Sequence, residues 1–407
     1  SISENTASVG AGLYLSQSTP HLTNVDVNHN IASNMGGGMY FGAYSNAIIT
    51  NTDLYNNQAS SGGGLAIDDN SNPVFTGCSI NYNSSGNGGA AFINFLSNPT
   101  FTNTLFYANT ASISGGGMWM QQSSPILNDV VFAKNSALEF GGAMYIFLYS
   151  TPEFNQVAFH ENTADLGAAV YVTVESSPLI GTICASNNSG SSYAGGIYVQ
   201  SGNPIISSSN FVNNGISVYN EDNAFIVQAT NNYWGNAGGP FHPSQNASGQ
   251  GDSTNAFVSV TPWLTSPDTE APPIPAQNVS VSGTGNDFVN LNWDSSPLGD
   301  FAGFKLHYDT DESGYPYNNS LDVGTDTSFT LSGLSLGTEY FLAVTVYNTD
   351  GNESWYSQEV TGTTRVMEVQ NLDIAGDEDL FHLVTHDPTV TFDYFDSMGE
   401  VQTNYHV

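Results

Sequence analysis

"SGGGMWMQQSSP", residues 114–125, reads as one short strand between two breakers. Glycine permits positive φ and close backbone approach, and proline cannot donate to a sheet ladder. The strand therefore lies between Gly117 and the corner at Pro125. Side chains alternate between the two faces of a strand. Met118 and Met120 share one face, and Trp119 takes the other.

Repetition decides which face is interior. The stretch recurs as "GAGLYL" at Gly10, "GGGMYF" at Gly36, "GGGLAI" at Gly62, "GGAAFI" at Gly88, "GGAMYI" at Gly141, "GAAVYV" at Gly167 and "AGGIYV" at Ala194, always 26 or 27 residues apart. The flanking positions of the strand are apolar in every copy, from Leu13 and Leu15 to Ile197 and Val199, so both columns are predicted inside. A Ser-x-Pro corner follows, at Pro20, Pro73, Pro99, Pro125, Pro152 and Pro178, with Ala47 in one copy. Two further interior columns come next. One runs Leu22, Ile49, Phe75, Phe101, Leu127, Phe154, Ile180, Ile206, and the other Leu54, Ile80, Phe106, Phe132, Phe159, Cys184, Phe211. Asparagine closes each repeat, at Asn30, Asn57, Asn83, Asn109, Asn135, Asn162, Asn187 and Asn214. Asparagine tolerates left-handed corners, and its stacked amides can bond from coil to coil.

Three short strands and three corners per repeat predict a right-handed parallel β-helix whose coils stack about 4.8 Å apart. A propeller blade needs roughly 40 to 50 residues, too many for this period. The pairing of "FxxN" with "GGA(I/L/V/M)", fullest at Phe132, Asn135, Gly141, Gly142, Ala143 and Met144, resembles the repeat of polymorphic outer-membrane proteins. That resemblance covers residues 1 to about 215 and implies a surface-displayed, adhesin-like β-helix. "NNYWGNAGGPFHP" (231–243) resembles the closing coil of secreted bacterial β-helix proteins, with Tyr233, Trp234 and Trp263 expected as a plug over the open core. The β-helix is thus expected over 1–265.

"SPDTEAPPIP" (266–275) is expected to be a proline-rich linker. Residues 276–365 resemble a fibronectin type III domain, through Trp293, Tyr308, Leu334 and Tyr340, the last as its tyrosine corner. Residues 366–407 alternate like the first strands of a further β-sandwich, so the fold class expected is all-β. The chain is expected to be a piece of a longer, extracellular or cell-surface protein of bacterial origin.

Composition narrows the function. Three basic residues, Lys134, Lys305 and Arg365, face 37 acidic ones, for a net charge of −34. Nucleic-acid binding needs a basic footprint, and polyanionic glycans and anionic membranes are disfavoured in the same way. No apolar run reaches membrane-spanning length, so no membrane insertion is expected. Cys78 and Cys184 read as buried small apolar groups, too far apart for a disulfide.

The middle column of the glycine strand is Tyr14, Tyr40, Ala66, Phe92, Trp119, Tyr145, Tyr171 and Tyr198. Alternation places it outside, with Gln121 nearby. Such a strip suits the apolar faces of neutral glycans or the surface of another protein, a second copy of this chain included. It equally fits a scaffold whose stacked rings are covered by Tyr44, Phe95 and Phe147. The alternative to an adhesin or stalk is a carbohydrate-active enzyme of the β-helix type. Such an enzyme needs a carboxylate pair on one face or, for a lyase, a base and cations; Asp68 and Asp69 come nearest, and no catalytic residue is assigned. No organic cofactor is expected. Calcium is a candidate ligand at "YDTDESG", through Asp309, Asp311 and Glu312, and at "GDEDL", through Asp377 and Asp379, where oxygen ligands concentrate.

Overall fold

The computed structural model describes residues 1–311 and 313–365, and the strands His382–His386, Thr389–Phe395 and Val401–His406. The described residues form strands and turns without an α-helix, and so no helix long and apolar enough to cross a membrane is found among them.

The repeats form a right-handed parallel β-helix. Their glycine strands build a parallel sheet of 11 strands from Leu13–Ser16 onward. Register follows the repeat residue for residue: Leu65 pairs with Ala91, Ala91 with Met118, and Met118 with Met144. Met118 and Met120 are fully buried in the coil interior. Glycine is required at the entry corner. Gly115 has φ +66, and a Cβ on Gly116 would lie 2.4 Å from the carbonyl oxygens of both Gly142 and Ser136.

Each coil has a fourth side that the hydrophobic pattern hides. The residues after each Asn corner ladder from Thr6 to Ile31, Gln58, Ser84 and Thr110. On the longest side, Thr100–Tyr107, Ile126–Ala133 and Glu153–His160 each run as one strand of 8 residues. Each bends midway at a left-handed residue, Asn103, Asp129 and Gln156. Inside, Phe106, Phe132 and Phe159 stack at centroid distances of 4.6 and 5.3 Å.

Two columns slip by one residue at the same coil. Phe159 pairs with Ala185, not Cys184, and the amide partner of Asn162 is Asn188, not Asn187. The coil from Phe159 keeps the 26-residue step, and a shift of one flips a side chain to the other face. Cys184 therefore points out of the coil, where Val212, Tyr233, Ile274 and Leu264 cover it. His160 pairs with Ala133 in the column that contains Asn28, so His29 and His160 stand in different columns. Both cysteines are buried and free.

The asparagine column is an unbroken hydrogen-bonded ladder. Each Oδ1 accepts the N–H and the Nδ2 amide of the previous coil's Asn at 2.9–3.1 Å, as Asn162 does from Asn135. The second Nδ2 proton goes back to a carbonyl, from Asn135 to Phe106 at 2.9 Å. The ladder ends on Asp252, whose carboxylate accepts from Asn214 N at 2.9 Å, Asn214 Nδ2 at 3.1 Å and Ser217 Oγ at 2.6 Å. An acceptor-only group suits this end, where every facing group donates. Burial outweighs those bonds and holds the Asp252 carboxyl above its ordinary range. The serines of the Ser-x-Pro corners form a second ladder, with Ser71 N donating to Ser97 Oγ at 3.2 Å and Ser97 N to Ser123 Oγ at 3.3 Å.

The last coil is plugged by Trp234, fully buried and stacked on Phe211 at 5.0 Å. Trp263 packs beside it, whereas Tyr233 belongs to the outer cluster over Cys184. His242 is buried and structural: Nε2 meets the Val258 carbonyl at 2.9 Å, and Nδ1 takes the N–H of Gln245 at 2.9 Å. The proline-rich segment is docked, not free. Asp268 exchanges two bonds with the Asn210 amide, at 2.8 and 3.0 Å, and Ile274 is buried against the outer cluster.

The fibronectin-like region has a sheet of 3 strands and one of 4. Trp293 is buried, and the Tyr340 hydroxyl accepts the Ser335 N–H at 3.0 Å, the bond of a tyrosine corner. The strands beyond residue 381 pair antiparallel as one 3-stranded sheet.

Candidate functional site

The outward column of the glycine sheet is a stack of rings. Phe92 and Trp119 lie 4.4 Å apart and within 3° of parallel. Trp119, Tyr145, Tyr171 and Tyr198 continue at 6.2, 5.3 and 5.3 Å. A further ring, Tyr219, stacks on Tyr198 at 5.3 Å. Tyr219 carries no glycine signature, so the sequence pattern missed it. Parallel strands repeat at about 4.8 Å, close to the optimum for offset stacking, and the register alone aligns the rings.

Exposure is uneven along this column. Tyr14 is 59% exposed, while Tyr171 and Tyr198 are only 2% and 4% exposed. Phe140 and Leu166 pack over these buried rings. The expectation of an exposed strip therefore fails at Tyr171 and Tyr198. Between them and Tyr14, Tyr40, Phe92, Trp119 and Tyr145 are half-buried. Burial pushes the hydroxyls of Tyr145, Tyr171 and Tyr198 up from the ordinary phenol range. Of the three expected covering side chains, only Phe147 covers: it lies 6.0 Å from both Trp119 and Tyr145. Phe147 pairs in register with Gln121, which is half-buried.

Tyr44 and Phe95 stand out at the next corner instead, 62% and 52% exposed. With Leu96 and Tyr149 they form a ridge of apolar side chains on left-handed backbone. Such residues store strain of about 1–2 kcal/mol each.

Ala66 interrupts the stack. It pairs with Tyr40 on one side and Phe92 on the other. Tyr40 stacks on Tyr14 at 5.1 Å, and Ala66 is itself fully buried, so the break in the column is closed over. Asp68 bonds the Tyr40 hydroxyl, and burial together with Asp68 raises that hydroxyl to about 12. Burial also lifts the Asp68 carboxyl. Asp69 is the next residue along the chain, at the left-handed corner, and gives its N–H to Asp68 at 3.0 Å.

Stacking brings together another acid pair. Asp26 and Asp53 are direct partners on neighbouring coils, and burial and then the Asp26 charge raise the Asp53 carboxyl. No sequence motif flags them, because they are 27 residues apart in the chain. Among the described residues no three His, Cys, Asp or Glu side chains are grouped to hold a metal ion. Asp309 and Asp311 lie together in the fibronectin-like region, while Glu312, Asp377 and Asp379 fall outside the described residues.

Comparison with known proteins follows this division. Residues 273–363 match the fibronectin type III domain family, and residues 1–131 match the family described as right handed beta helix region. An alpha-amylase of Niallia circulans is 34% identical over 119 residues, 28% of this chain and 8% of that protein. A Kelch domain-containing protein of Saccharolobus solfataricus is 35% identical over 83 residues, 20% of this chain and 11% of that one. The chain thus spans about a tenth of the curated relatives it matches. Among solved structures, a fibronectin type III domain of human fibronectin type III domain containing protein 3 is 25% identical over 24% of this chain and 90% of that one, with a TM-score of 0.21. The chain is a right-handed parallel β-helix followed by a fibronectin type III β-sandwich.

Proposed function

We propose that this is a non-enzymatic, extracellular or cell-surface protein of bacterial type, in which the β-helix acts as a stiff stalk and binds neutral glycans. The β-helix and fibronectin-type architecture fits a surface or carbohydrate-related protein. The resemblance to the polymorphic outer-membrane repeat points the same way. The observation that carries the glycan reading is the outward ring column. Tyr14 is 59% exposed and Tyr40, Phe92, Trp119 and Tyr145 are half-buried, with the Asp68 carboxylate beside the Tyr40 hydroxyl. A pyranose ring offers an apolar face for the rings and hydroxyls for the acid. Self-association through the strip is opposed by a net charge of −34 on each copy.

The test is a neutral-glycan array read beside a sizing column and a melting curve. Trp119→Ala with Tyr145→Ala is expected to weaken glycan binding at a stability cost of about 1 kcal/mol per ring. Loss of assembly with unchanged array signals would make the strip a protein interface. A sharp fall in melting temperature, with neither readout changed, would make it scaffold alone.

The Asp26–Asp53 pair favours a second reading, a glycoside hydrolase. Their strands lie about 4.8 Å apart, near the 5–5.5 Å carboxyl separation of retaining enzymes, and a raised Asp53 would act as the acid. On the first reading, purified protein releases no reducing ends from neutral glucans. Release that disappears in Asp53→Asn but persists in Asp69→Asn would replace it with the second.

A further inference from the structure

In the fibronectin-like sandwich, the turn between the strands Phe301–Asp309 and Asn319–Gly324 frames a cavity of about 400 Å³. Tyr308, Asp309, Thr310, Asp311, Asn318 and Asn319 line one side of it. Asp309 ends its strand with a side chain only 3% exposed. Its Oδ2 accepts the Asn318 N–H at 3.3 Å, and its Oδ1 meets no donor. The neighbouring carboxylate is Asp311, close enough to share a hydrogen bond if either acid were protonated. Asp311 Oδ2 in turn accepts the Asn318 Nδ2 at 2.8 Å. Lys305, the basic residue of this strand, is paired with Glu353.

An ionised carboxylate is acceptor-only. Two of them in contact, one buried with an oxygen unmatched, are strongly unfavourable unless a positive charge lies between them. We infer that Asp309 and Asp311 hold a divalent cation of the calcium class, with oxygens of Thr310, Asn318 and Asn319, which line the same cavity, completing its shell. Among the described residues, the cavity lining supplies oxygen donors and no sulfur or imidazole, which selects a hard cation over zinc. The cavity leaves room for the waters that a site with few carboxylates retains. Glu359 is already engaged by the Gly314 N–H and the Tyr317 hydroxyl, each at 2.7 Å, and serves as a second negative neighbour.

The full chain, stripped with EGTA, is titrated with Tb³⁺ and excited through tyrosine, since Tyr308 and Tyr340 line the same cavity. Calcium should then displace the terbium, with a dissociation constant of about 10⁻⁴–10⁻³ M for a site with this few charges. At ten times that concentration, calcium should raise the melting of the fibronectin-like domain by roughly 5–10 °C. Asp309→Asn and Asp311→Asn should each weaken binding at least tenfold and remove the shift. Asp326→Asn, on an exposed acid away from the cavity, should leave both unchanged. If Asp309→Asn fails to fold, the exposed Asp311→Asn decides. Equal loss in Asp326→Asn would reduce the effect to diffuse attraction by an acidic surface and overturn the site. So would a wild-type protein without any calcium response, which would mean that the pair shares a proton.

Discussion

Asn135→Ala is expected to lower the stability of the β-helix by about 3–5 kcal/mol, in a urea titration followed by far-UV circular dichroism. The substitution removes the acceptor for the Asn109 N–H and Nδ2, at 3.1 and 2.9 Å, and the donor to Phe106 O at 2.9 Å. All three asparagines, 109, 135 and 162, are fully buried, so water cannot replace what is lost. Each orphaned buried group costs roughly 1–3 kcal/mol. Coils touch only their neighbours, and stacked-repeat stability is close to a sum of nearest-neighbour terms. The damage should therefore fall at the junction on either side of the coil, and the single urea transition should split in two. Asn135→Asp keeps the acceptor and loses the donor, and should cost less. A cost below 1 kcal/mol for Asn135→Ala would show that the ladder is ornamental and that the apolar columns suffice.

The second large effect is acid sensitivity at His160. This ring is buried, with Nδ1 2.6 Å from Ser186 Oγ and Nε2 without a partner. Burial penalises the imidazolium and lowers the group from its usual 6.5 to about 3. The folded-state value is depressed, so the unfolded chain binds a proton first. Stability from this group is complete above pH 6.5 and drains away as the pH falls toward 3. The loss approaches roughly 5 kcal/mol at the acid end, at 1.36 kcal/mol per unit. Asp252 acts in the opposite sense. Its raised carboxyl favours the folded state below the unfolded Asp value, and that contribution is lost as the pH rises through its folded value. Urea midpoints measured from pH 7.5 to pH 4 should fall steadily in the wild type. They should fall much less in His160→Gln, which keeps a hydrogen-bonding group toward Ser186 and does not titrate. Parallel pH curves for the two proteins would remove His160 as the cause.

The 26- or 27-residue period, by itself, determined the coil, the interior columns and the outward position of Trp119. A stacked coil leaves no freedom once its register is set, because each strand must pair with the one before it. The same logic made the asparagine ladder legible up to Asn162. It failed at Asn187 and Cys184, where adjacent residues of similar kind, Asn187–Asn188 and Cys184–Ala185, let composition fit two registers. Only the pairing of Phe159 with Ala185 chose between them. The fourth side of each coil was invisible because it alternates polar residues with small buried alanines such as Ala111, Ala137 and Ala164, which leave no large apolar column to read.

What surrounds the coil was decided by tertiary structure alone. Alternation says that Tyr171 and Tyr198 point outward, but not that Phe140 and Leu166 arrive to bury them. Proline content suggests a loose linker at 266–275, but it cannot anticipate the Asn210 amide that pairs with Asp268 or the seat that Cys184 and Tyr233 give to Ile274. Asp26 meets Asp53, and Asp309 meets Asp311, through stacking in one case and a turn in the other. The period acts through bonds between residues one coil apart, and a sequence displays that repeat directly. Burial and charge proximity depend on how whole surfaces meet, and no periodicity records that.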